Sequence, residues 1–69
     1  GMDSFTRIRF IWINYTMTSM YDVCDDLYEA LADEDFGAAL DLLDSIHEQT
    51  EDVRDTVLSQ LGMNPKDAS

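Results

Sequence analysis

FGAALDLLDSIHEQTEDVRDTVLSQLG, residues 36–62, carries a helical repeat from end to end. Apolar or small residues recur at Phe36, Ala39, Leu43, Ile46, Thr50, Val53 and Val57, in alternating steps of three and four, which is the seam of a packed helix. Leu40, Leu42, Leu58 and Leu61 widen that seam beyond a two-stranded coiled coil and suit a bundle core. A stop signal follows. Gly62 is placed for the left-handed position after a helix end, Met63 for contact with Leu58, and Pro65 prevents continuation. The second helix is therefore expected at about 36–61.

Upstream, Phe10, Ile13, Met17, Met20, Cys24, Leu27 and Leu31 keep the same three-four spacing, and no Gly or Pro lies between Met2 and Phe36. A first helix over roughly 5–33 would match the second in length and fold back on it at Asp33 to Asp35. Ile8 and Trp12 would then stand beside Val57 and Leu61. Asp35 or Asp33 is the expected N-cap of the second helix, because a carboxylate there meets free amides and the positive end of the helix dipole. Phe5 to Tyr15 is also rich in β-branched and aromatic residues, and Ser19 with Asp22 resembles a capping box. The alternative is that residues 5–16 form a strand or arm and the helix begins at Ser19. The strand-helix-helix order that follows resembles the ribbon-helix-helix DNA-binding dimers, whose ribbon sits in a basic field that this chain lacks.

The turn region from Ala32 to Leu40 resembles the interhelical turn of tetratricopeptide repeats. Solenoids need several stacked repeats, and no second copy is present. The likeness is read as the chemistry of a tight helical hairpin.

Sixty-nine residues allow one domain, 1–69, in which Gly1 reads as a tag remnant and 63–69 as a flexible tail. So short a chain buries only about 60% of the surface its unfolded form exposes. Cys24 is the only cysteine, so no disulfide within the chain is available, and one His with one Cys is too few for a zinc site. Association with a second copy is the expected supplement. A lone thiol fits a reducing compartment, no stretch has the roughly 20 apolar residues of a membrane span, and no signal-peptide pattern follows Arg7 and Arg9. The expected location is cytoplasmic, with no membrane partner.

Net charge is −11, unevenly spread. Residues 22–55 hold thirteen acids and Arg54, a net −12, whereas residues 1–21 sum to +1 through Asp3, Arg7 and Arg9. Such a body repels phosphates, which excludes direct nucleic-acid binding and favours basic protein surfaces. Six acid pairs stand four residues apart on the helices (22/26, 25/29, 29/33, 44/48, 48/52, 51/55). At about 0.2–0.5 kcal/mol each they cost roughly 1–3 kcal/mol per chain.

Chemistry-bearing constellations are few. His47, with Asp44 three before it and Glu51 four after it, has the spacing of half a carboxylate-bridged di-metal site, but the carboxylate needed from the first helix, Glu29, falls on an outward position. Asp22 with Asp25 and Asp41 with Asp44 resemble the magnesium-binding carboxylates of all-helical nucleotide pyrophosphatases, yet these too face outward by the heptad assignment. Ser45 and Ser59 have no base positioned by sequence. Cys24 reads as a small apolar core residue. The sequence thus predicts an all-α antiparallel two-helix hairpin that dimerises into a four-helix bundle. Its expected role is a small acidic protein-interaction module binding a basic protein surface as an inhibitor, adaptor or nucleic-acid mimic. No catalysis, cofactor or metal is expected, and the alternative is a metal-dependent enzyme with a carboxylate and His site formed in the dimeric bundle.

Overall fold

The computed structural model describes residues 3–62, which form two helices, α1 (Ser4–Ala32) and α2 (Phe36–Gln60), packed against each other as a hairpin. Residues 5–16 are helical, so the strand or arm alternative does not form. Asp3 starts α1: its Oδ1 accepts the Thr6 amide at 2.7 Å, and its carbonyl accepts the Arg7 amide at 3.0 Å. The Thr6 amide, donating to the carboxylate, holds the Asp3 carboxyl below the usual carboxylate range. With no Gly or Pro to break it, the helix then outruns the β-propensity of Phe5 to Tyr15 and passes through Ser19 and Asp22 without interruption.

Three residues, Asp33 to Asp35, reverse the chain and cap both helices. The Asp35 amide donates to the Ala30 carbonyl at 2.8 Å and the Glu34 amide to the Leu31 carbonyl at 3.2 Å, the pair of bonds that defines a Schellman cap. Its left-handed residue is Glu34, at φ 56°, where glycine is usual. Asp35 simultaneously opens α2, its Oδ1 accepting the Ala38 amide at 3.2 Å. At the far end Gly62 has φ 77° and donates to the Ser59 carbonyl at 3.1 Å, as its place after the helix end predicts. The expected Met63 contact, the Pro65 stop and the tail 63–69 lie outside the described residues.

The inner face differs from the expected seam by one row on each helix. On α1 the part-buried or buried positions are Thr6, Ile13, Thr16, Ser19, Met20, Val23, Leu27 and Ala30, and on α2 they include Ala39, Leu42, Ile46, Gln49, Val53, Thr56 and Leu58. Rows 13/20/27 and 39/46/53 are as expected. Phe10, Met17, Cys24 and Leu31, and on α2 Phe36, Leu43, Thr50 and Val57, are exposed instead. Cys24 is thus not a core residue of the hairpin. The physical reason is steric: alanines at 30 and 39, 7% and 4% exposed, leave room for the neighbouring helix beside the turn where the larger Leu31 and Phe36 would not, and Leu58, 8% exposed, is enclosed near the open end.

The resulting layer is one helix thick. Its smallest extent is 10 Å and its longest 45 Å, close to the ~43 Å length of a 29-residue helix. The Cα radius of gyration is 15.4 Å, against about 11 Å for a globular chain of this length. The chain exposes 5703 Å², whereas a globular monomer of 7.9 kDa exposes about 4,400 Å². No helix among the described residues is long and apolar enough to cross a membrane.

Candidate functional site

Helix geometry divides the hairpin into two broad faces. In an antiparallel pair, rows displaced in the same rotational sense from the two seams emerge on the same side of the layer. Rows 10/17/24/31 and 36/43/50/57 are displaced alike, so Phe10, Met17 and Leu31 share one face with Phe36, Leu43 and Val57. Leu40 and Leu61 flank that face on α2. All eight of these apolar residues are exposed. The Arg9 guanidinium lies 5.8 Å from the centroid of the Phe10 ring, which puts a positive charge at the edge of the face.

The opposite face has a different chemistry. An open cleft runs between the helices, lined by Trp12, Tyr15, Thr16 and Ser19 of α1 and by Gln49, Asp52, Val53 and Thr56 of α2. A shallower depression continues it over Asn14, Thr18 and Asp22, sharing Tyr15 and Ser19. Trp12 and Tyr15 thus share the cleft with the carboxylate of Asp52, and Tyr15 shares the depression with that of Asp22. The polar members of the seam are satisfied locally: Gln49 Nε2 donates to Ser45 Oγ at 3.3 Å and the Thr56 hydroxyl to the Asp52 carbonyl at 3.1 Å. Among the described residues no buried side-chain nitrogen or oxygen lacks a partner.

Every acid from Asp22 to Asp55 is exposed. Glu29, Asp22, Asp25, Asp41 and Asp44 face outward as expected. His47 is exposed on the row next to Leu43 and Val57, and its backbone carbonyl accepts the Thr50 hydroxyl at 2.9 Å. Within one hairpin, no group of three or more His, Cys, Asp or Glu among the described residues is gathered to hold a metal ion.

Sequence reasoning placed Trp12 at the level of Val57 and so came close to the cleft, but it did not join Trp12, Tyr15 and Asp52. The signal was available in the turn. Centring the reversal on Glu34 puts Thr16 level with Asp52 and Ser19 level with Gln49, which brings Asp52 to the rim. No protein-family model matches the chain, and no curated protein or solved structure matches it.

Proposed function

We propose that this chain is a non-catalytic binding module that pairs through its apolar face into a four-helix bundle and presents its acidic, cleft-bearing face to a basic protein. The observation that carries this reading is the division of the surface. The face holding Phe10, Met17, Leu31, Phe36, Leu43 and Val57 offers water six exposed apolar residues, far more than a solvated helix pair needs. The other offers Trp12 and Tyr15 with Asp52 in one cleft and Asp22 in the depression beside it, which suits a guanidinium or ammonium group: aromatic faces attract it and carboxylates accept its hydrogen bonds. A body of net −12 over residues 22–55 steers such a partner in.

Two measurements test the two halves. Sedimentation equilibrium is expected to give a dimer at micromolar concentration, and a 7.9 kDa species throughout overturns the pairing. For the cleft, an arginine-rich peptide titrated against the fluorescence of Trp12, the only tryptophan, is expected to saturate at one peptide per hairpin. Tyr15→Ala and Asp52→Asn are each expected to weaken that binding about tenfold. Binding that follows ionic strength alone and ignores both substitutions overturns the cleft as the site.

A further inference from the structure

We propose that in the homodimer the two hairpins lie with their turns at opposite ends, related by a two-fold axis that crosses the helices. The basic end of one copy then covers the acidic turn of the other. This rests on the dimeric reading above and specifies its geometry. Stacking the two apolar faces allows two symmetric solutions. With the axis parallel to the helices, the turns meet at the same end and α1 packs on the partner's α2. With the axis across them, α1 packs antiparallel on the partner's α1 and α2 on the partner's α2.

Charge separates the two. The turn half, residues 19–49, holds ten acids and no Lys or Arg, whereas the rest of the described chain holds four acids and Arg7, Arg9 and Arg54. Turns at one end would lay −10 on −10. Turns at opposite ends lay −10 on −1 at each end, a far smaller repulsion at any ionic strength.

Side-chain matching agrees. With the axis across the helices, one register sets Phe10 over the partner's Leu31 and Met17 over the partner's Cys24. Each contact occurs twice, as an isologous interface requires. Arg9, held over the Phe10 ring, then stands within one residue of the level of the partner's Asp33. In the other arrangement Arg9 is level with the partner's Gln60, and no acid lies between the partner's Thr56 and Gly62. The area is adequate as well. The face carries eight exposed apolar side chains, Phe10, Met17 and Leu31 on α1 and five on α2, and a stable dimer buries about 800 Å² per partner.

Cys24 makes the arrangement directly readable. Met17→Cys, an exposed position, is expected to give a disulfide-linked dimer with the partner's Cys24 under mild oxidation, while the unaltered chain stays unlinked. Positions 17 and 24 of one helix are about 10 Å apart, too far for a bond within the chain. Leu43→Cys is expected to give no linked dimer. A linked dimer from Leu43→Cys but not from Met17→Cys places the turns at the same end and overturns the proposal, as does a sedimenting dimer that neither variant links. A monomer by sedimentation, with neither linked, removes the dimeric reading itself. Arg9→Glu is expected to weaken dimerisation at least tenfold at 0.05 M NaCl with helicity unchanged. An unaltered dissociation constant there also overturns the proposal.

Discussion

The two outward choices available to each helix make a telling comparison. The row turned into the hairpin contains Thr16, Val23 and Ala30 on α1 and Leu42, Gln49 and Thr56 on α2. The row turned out contains Phe10, Met17, Cys24 and Leu31, and Phe36, Leu43, Thr50 and Val57. The hairpin buries the more polar row and exposes the more apolar one. A monomer optimised for its own stability would do the reverse, since each large apolar side chain left in water forgoes about 1.5–3 kcal/mol of burial. The inner rows hold the two most buried alanines, Ala30 and Ala39, and on the dimeric reading proposed above the outer row is the surface that the second copy covers.

The largest expected effect breaks that division at the outer row. Leu43→Asp puts two carboxylates in the dimer interface, and at about 1–3 kcal/mol or more each they are expected to weaken association at least ~100-fold. Because Leu43 is 47% exposed within one hairpin, helicity of the dissociated chain should survive at low concentration. Sedimentation and circular dichroism on the same samples check both halves. An unchanged dimer would mean that the outer row is a solvated face. The inner row is broken by a different substitution: Ala39→Leu adds bulk at a position only 4% exposed, with an expected loss of about 1–3 kcal/mol in urea unfolding.

The sequence makes the helices, the turn and the caps legible because those depend on neighbours along the chain. A three-four repeat needs only its own residues, Asp35 caps the amide three ahead of it, and Gly62 takes its left-handed conformation without a Cβ. Rotation about the helix axis is another matter. Rows 13/20/27 and 39/46/53 belong to both candidate seams, so the apolar pattern alone is satisfied by either neighbouring row, and the larger side chains favour the one that ends up outside. What decides is the burial of the small residues Ala30 and Ala39 on facing helices, a condition that no local pattern records. The cleft was hidden for the same reason, since Trp12 and Asp52 meet only once that rotation is set.

Salt sharpens the comparison between the turn half and the open half. Raising NaCl from about 0.01 M to 0.15 M shortens the screening length from roughly 30 Å to 8 Å. Like-charge neighbours at four-residue spacing, of which four of the six lie wholly between Asp22 and Glu48, are then weakened. The melting temperature is expected to rise by several degrees, on the scale of about 4–8 °C per kcal/mol for a domain of this size. Arg54 lies among acids of the open half, so reversing it with Arg54→Glu should steepen the rise. A melting temperature that is flat or falls with salt would show that the acids are already balanced.

The smallest effect compares the two helix ends. Both α1 and α2 finish on a residue with positive φ, Glu34 at 56° and Gly62 at 77°, but only the second is a glycine. A side chain in the left-handed region costs about 1 kcal/mol through the clash of its Cβ with the following carbonyl, and glycine gives back part of that advantage by being freer in the unfolded chain. Glu34→Gly is therefore expected to stabilise the protein by about 0.5–1 kcal/mol, read as a higher urea midpoint with an unchanged slope. The substitution also removes a negative charge between Asp33 and Asp35, so Glu34→Gln is the necessary companion. The part of the gain that Glu34→Gln reproduces is electrostatic, and the remainder belongs to the backbone. Gly62→Ala supplies the opposite sign, since at φ 77° the added Cβ meets nothing within 4 Å and its whole expected cost, about 1 kcal/mol, is conformational. If Glu34→Gly gains no more than Glu34→Gln while Gly62→Ala is destabilising, the turn end tolerates its strained residue because the double cap by Asp35 and the Ala30 carbonyl holds it there, and the backbone penalty at Glu34 is smaller than its φ implies.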